Sequence, residues 1–163
     1  ARGTREGLLL AANVGAILIS FIALVAVANL ALGRVGGLLG WPACSLQRLL
    51  GLVFAPVAWL IGVPWADCAA VGGLLGTRTV LNELIAYFDM GAMQATLSPK
   101  AFSLATIAMC SFANISSIGI QVGGIGALVP ERRDDLARLG VKMLVISTLA
   151  TALSAAIAGV MLE

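Results

Sequence analysis

From Gly7 to Gly33 the chain carries no Asp, Glu, Lys or Arg, and nearly every residue is Leu, Ala, Val, Ile, Gly or Phe. About 20 consecutive apolar residues suffice for a helix to cross the hydrocarbon core of a bilayer. Arg2 and Arg5 bracket this run at one end and Arg34 at the other. In hydrocarbon only helices and closed barrels satisfy their own backbone groups, so the choice of fold is narrow. Hydrophobic residues make up 60% of the 163-residue chain and charged residues 11%, against about 25% charged in ordinary soluble domains. Aromatic residues are scarce, at 6%, and there are 19 glycines, which favours tightly packed membrane helices over a barrel with aromatic girdles. The expected fold class is an all-α membrane protein.

The first apolar run is too long for a signal-peptide core, and no small-residue cleavage site follows it. It reads as a spanning helix. The chain opens "ARGTREG" without an initiating Met and is expected to be part of a longer polypeptide.

Several chemistries are excluded early. There is no His, which removes His-ligated metals and His-dependent triads. Cys44, Cys68 and Cys110 are widely spaced without CxxC pairing, so they read as small packing residues, not a disulfide or zinc framework. A net charge of +2 with dispersed basic residues does not suggest nucleic acid as a partner. No cofactor or metal is expected, and with no convincing acid pair or activated nucleophile the chain does not read as an enzyme.

Two further spans are expected, Ala101 to Val129 and Met143 to Leu162, the last belonging to a helix that starts near "PERRDD" at 130–135. Between the first span and these, Pro42, Pro56 and Pro64 interrupt the apolar character and Arg48 lies inside it. "SLQRLLGLVFAPVAWL" suits a helix lying in the interface, with Trp41 and Trp59 at headgroup depth. A kinked spanning helix is the alternative. Residues 65–97 hold a short apolar stretch on each side of "NEL", each too short to span, with Arg78, Glu83 and Asp89 spaced through them. Two short helices meeting at a polar tip form a re-entrant hairpin, and non-helical backbone at membrane depth implies protein or a water-filled cavity around it.

Arg2, Arg5, Arg132, Arg133, Arg138 and Lys142 gather at the start of the first span and before the last. The positive-inside rule then puts the N-terminus and the "PERRDD" turn in the cytoplasm. Three crossings leave the C-terminus outside.

Glu83 is the most informative acid, because an unpaired carboxylate in a bilayer costs at least about 2.5 to 3.5 kcal/mol on insertion scales. One reading pairs it with Arg78 as a structural clasp. The other puts it at the start of the second half-helix, where free N–H groups and the positive dipole end favour an anion and its oxygens face a cavity. Asn82 is expected first to cap that half-helix. "FANISS" at 112–117 groups Asn114, Ser116 and Ser117 in mid-span, where they either break the helix or hydrogen-bond a neighbouring helix as polar glue. A two-part hairpin with an acidic tip and a polar-broken helix is the general pointer to a secondary-transporter site near the midplane. A polyhydroxylated, uncharged substrate suits such a set of acceptors and donors.

Three stretches carry a resemblance: "LLGLVFAPVAWLIGVPWADC" at 49–68, "GTRTVLNELIAY" at 76–87 and "LSPKAFSLATIAMCSFANISSIGIQVGGIGALVPERRDDLARLG" at 97–140. They closely resemble the C-terminal half of concentrative nucleoside transporters. The resemblance implies an ion-coupled nucleoside importer of the inner or plasma membrane, with sodium or proton as the coupling ion, built as a homotrimer from inverted repeats. Residues 1–34 would be the scaffold helix that helps form the trimer contact, and 35–163 the second repeat. That repeat would comprise an interfacial helix at about 45–62, a re-entrant hairpin at about 65–97, a broken helix at about 99–129 and a last helix at about 131–162. The family's ribose-binding residues carry over onto Glu83, Asn114 and Ser117, with Phe112 beside the nucleoside, while Asn82 and Ser116 are supporting candidates. Family "NEF" is "NEL" here, through Leu84, and "CGFAN" is "CSFAN", through Ser111. The first repeat, with its base contacts and the coupling-ion site, has no counterpart in these residues. A module that senses or gates on nucleoside without transport is the second reading.

Overall fold

The computed structural model describes residues 2–41 and 44–162, and only the backbone of Arg2. Pro42, one of the expected interruptions, lies outside the described residues, as does the side chain of Arg2. Seven α-helices follow one another, with no strand among the described residues: α1 Arg2–Leu38, α2 Leu46–Leu60, α3 Trp65–Val80, α4 Glu83–Ala92, α5 Pro99–Met109, α6 Ile115–Leu128 and α7 Arg133–Met161. A short 3-10 turn, Pro130–Arg132, precedes α7.

Two helical segments, Gly3–Leu38 and Pro130–Met161, are long and apolar enough to cross a membrane. Their surfaces are apolar and open, with Leu8, Ile19, Leu30, Leu149 and Val160 all more than half exposed. The third expected span is not one helix. The α5 segment has 11 residues and the α6 segment 14, about 16 and 21 Å at 1.5 Å per residue, so neither alone covers the roughly 30 Å hydrocarbon core. At 15 residues, α2 is likewise about 22 Å long, and it keeps Pro56 in its interior. At that length α2 alone does not cover the hydrocarbon core.

The core is where α2, α3, α5 and the end of α7 meet, around Ala58, Val71, Leu74, Leu104, Ala105 and Ala155. Small residues permit this. A Cβ on Gly72 would lie 2.5 Å from the Gly51 carbonyl oxygen and 2.8 Å from the Ala55 nitrogen, so α2 and α3 cross almost backbone to backbone. Gly62, at φ 97°, ends α2 in the left-handed region that glycine enters without strain. At the other side of the molecule, Asn29 of α1 accepts from the Leu46 amide at 2.9 Å and donates to Gln47 at 3.0 Å. These two hydrogen bonds tie the first span to the start of α2.

Candidate functional site

Two asparagines build the site from local rules. Asn82 is the N-cap of α4, its side-chain oxygen accepting from the Ile85 amide at 3.0 Å. Asn114 is the N-cap of α6, accepting from the Ser117 amide at 2.7 Å. Both have extended backbone, which capping requires. The capping role expected for Asn82 is what forms, and Glu83 becomes the first residue of α4, at the positive end of its dipole.

Tertiary packing then joins the two caps. Asn114 Nδ2 donates to Glu83 Oε2 at 3.0 Å. The orientation of the Asn114 amide follows from its surroundings, because the Ser117 N–H can only donate and so faces the oxygen. The Ser116 hydroxyl lies 2.7 Å from Asn114 Oδ1 and 2.8 Å from the Leu81 carbonyl. Its single proton is shared between the α6 cap and the hairpin tip. Asn114 therefore does both things weighed for it, ending a helix break and bonding a neighbouring element.

Among the described residues no hydrogen bond or close ion pair joins Arg78 to Glu83. Its guanidinium, fully buried, donates instead to the Ala108 carbonyl at 2.8 Å and to Thr148 Oγ1 at 2.9 Å. The end of α3 turns its basic side chain toward α5 and α7, and the hydrogen bond to the carboxylate at the tip comes from Asn114.

All six expected residues border one cleft of about 330 Å³: Asn82, Glu83, Phe112, Asn114, Ser116 and Ser117. Asn114 and Ser116 are 1% and 2% exposed, whereas Phe112 is 76% exposed, so a buried polar floor sits beside a free aromatic ring. Leu84, the departure from "NEF", lines the same cleft and is largely exposed. Ser111, the departure from "CGFAN", has a buried hydroxyl without a hydrogen-bond partner among the described residues. Val14 and Leu18 of α1 and Ile120 and Gln121 of α6 complete the lining. Gln121 was not foreseen, although its place four residues after Ser117 and seven after Asn114 puts all three on one helix face. A second, smaller cleft of about 150 Å³ between α6 and α7 shares Phe112, Asn114, Ser117 and Gln121. The larger cleft of about 650 Å³ between α2, α3 and α4 touches none of these residues. Cys110, expected as a packing residue, is exposed at the helix break, while Cys44 and Cys68 are buried.

The family model described as "Na+ dependent nucleoside transporter C-terminus" matches residues 1–159. The chain belongs to the concentrative nucleoside transporter family. It is 48% identical over 159 residues to the uncharacterised transporter YutK of Bacillus subtilis, covering 98% of this chain and 39% of that protein. It is 37% identical over 165 residues to sodium/nucleoside cotransporter 1 of Rattus norvegicus, covering 92% of this chain and 26% of that protein. The solved structure of CNTnw in an inward-facing substrate-bound state matches with a TM-score of 0.80 at 41% identity, over 98% of this chain and 40% of that one. A CNTnw variant in an intermediate state matches with a TM-score of 0.89 at 39% identity, over 99% of this chain and 41% of that one. The chain thus spans between 26% and 41% of the length of these relatives.

Proposed function

We propose that this chain supplies the ribose-binding half of the site of an ion-coupled nucleoside importer. The observation that carries the reading is the Glu83–Asn114 hydrogen bond at 3.0 Å, made at the wall of a cleft that also holds Ser117 and the exposed ring of Phe112. A carboxylate whose second oxygen remains free accepts from vicinal hydroxyls, and a sugar 2′,3′-diol presents two. Asn114 and Ser117 complete the sugar contacts, and Phe112 forms the apolar wall.

In this reading α3 and α4 enter the membrane as a re-entrant hairpin from the face opposite the N-terminus, which is cytoplasmic. Helix α1 is the scaffold and contributes to a homotrimer contact through its exposed apolar surface. Val14 and Leu18 of α1 line the cleft, so movement of the hairpin and broken helix against α1 opens and closes the site, as alternating access requires. Sodium, named for the family and for the rat relative, is the first coupling ion to test and a proton the second.

The test is uptake of labelled uridine into vesicles containing the full transporter, with and without an imposed sodium or proton gradient. Accumulation above the external concentration supports import, and binding without accumulation supports a sensing module. Glu83→Gln removes a charge-assisted acceptor worth about 1.5 to 3 kcal/mol and should raise KM by roughly 10- to 100-fold. Normal uptake by that variant would remove the proposed ribose contact.

A further inference from the structure

Helix α5 stops at Met109, and the last four carbonyls of any helix lack an intrahelical partner. Here those of Thr106, Ile107, Ala108 and Met109 are all satisfied. Two are served by the chain as it turns away, through Cys110 N–H to Ile107 at 3.1 Å and Ser111 N–H to Met109 at 2.7 Å. The other two are served by the hairpin. Arg78 Nη1 donates to Ala108 at 2.8 Å and the Tyr87 hydroxyl to Thr106 at 2.8 Å.

These donors sit on either side of the tip, Arg78 in the last turn of α3 and Tyr87 in the first half of α4. Each takes an acceptor that an uninterrupted helix would use itself. A continuous helix gives the Ala108 carbonyl to the Phe112 amide and the Thr106 carbonyl to the Cys110 amide. Arg78 and Tyr87 therefore stand where they compete with rewinding of 110–114. At Arg78 the competition is strong, because its guanidinium is 0% exposed and lies at the negative ends of both α3 and α5. Its other nitrogen donates to Thr148 Oγ1 at 2.9 Å, which ties α7 to the same point. In hydrocarbon an orphaned carbonyl or guanidinium has no water to turn to.

We propose that Arg78 and Tyr87 are positioning residues of the nucleoside site, holding the α5–α6 break open so that Phe112 and Asn114 stand opposite Glu83. The proposal rests on the nucleoside reading above for its effect on affinity, but its structural half can be measured separately. Rewinding by even part of a turn moves Phe112 and Asn114 away from Glu83, and misplacement on the ångström scale is costly to a preorganised site.

The experiment compares Arg78→Met, Arg78→Lys and Tyr87→Phe in the full transporter, reading equilibrium binding of labelled uridine, Tm, and the rate of thiol labelling at Cys110 by mass spectrometry. Arg78→Met should weaken binding about tenfold or more, as misplaced contacts do, with Arg78→Lys recovering most of the loss. Tyr87→Phe, which removes one neutral hydrogen bond, should weaken it about fivefold and lower Tm slightly. Cys110 labelling should change in Arg78→Met and return toward wild type in Arg78→Lys. Loss of Tm with wild-type affinity in the surviving protein marks a purely structural role and overturns the proposal. If Arg78→Met does not fold, Tyr87→Phe and Arg78→Lys decide. Should the wild-type protein bind no nucleoside, the functional reading falls, and Cys110 labelling still judges the break. Unchanged labelling in Arg78→Met overturns the positioning claim.

Discussion

Asn114 Nδ2 donates to Glu83 Oε2 at 3.0 Å, so the cap of one half-helix holds the first residue of another. The bond has a direction, since Asn114 Oδ1 is already occupied by the Ser117 amide and the Ser116 hydroxyl. Asn114→Asp preserves the cap, because Asp is as good an N-cap as Asn, but sets two carboxylates against each other. Uridine KM should rise at least about tenfold, the scale of a lost charge-assisted hydrogen bond. The double variant with Glu83→Gln exchanges acid and amide and should regain part of the loss. Additive losses in the double variant would show that the two side chains do not act together.

Ser116 and Ser117 are adjacent but differ in what their hydroxyls do. Ser116 is committed to the Leu81 carbonyl and Asn114, so Ser116→Ala should lower stability by about 1 to 2 kcal/mol, read as a fall in Tm. Ser117 meets Asn114 through its backbone amide while its side chain borders both clefts. Ser117→Ala should weaken nucleoside binding and leave Tm in place. The reverse pattern would exchange the roles assigned to them.

Phe112 is 76% exposed and contributes little to the fold. If its ring faces the nucleoside, Phe112→Ala costs about 1 to 3 kcal/mol of affinity on the scale of base–aromatic stacking, with an unchanged thermal melt. Binding measured by equilibrium dialysis, set beside the melting curve, checks both halves of this expectation.

Gly72 tests the frame on which the hairpin stands. Its Cβ position is 2.5 Å from the Gly51 carbonyl oxygen, a backbone atom that no rotamer change can move. Gly72→Val should force α2 and α3 apart and cost about 1 to 3 kcal/mol, as overpacking does. The expected result is reduced yield of folded protein and a lower Tm, with the affinity of the surviving protein less affected than in the Asn114 variant.

The residues that sequence placed correctly are those whose behaviour is local. An Asn cap bonds an amide three residues ahead, so Asn82 could be read as the start of a half-helix, and Asn114 as part of a break or a polar tie, from the residues around them. The same holds for the apolar runs of α1 and α7, whose length alone matches the hydrocarbon core. Glu83 was legible as an acid too costly to leave in lipid without a purpose, and the quoted motifs supplied the rest of its company.

Partners across the fold were another matter. Pairing with Glu83 was one of two readings open for Arg78, and packing gives its hydrogen bonds to Ala108 and Thr148, 30 and 70 residues away. Tyr87 carried no signal at all until α5 brought the Thr106 carbonyl to its hydroxyl, and Cys110 was taken for packing before the break exposed it. Sequence by itself determined where helices run and where they stop, because caps and apolar length act within a few residues. Only the tertiary structure decided which buried donor meets which freed carbonyl, because in a membrane protein that choice depends on how closely whole helices approach one another.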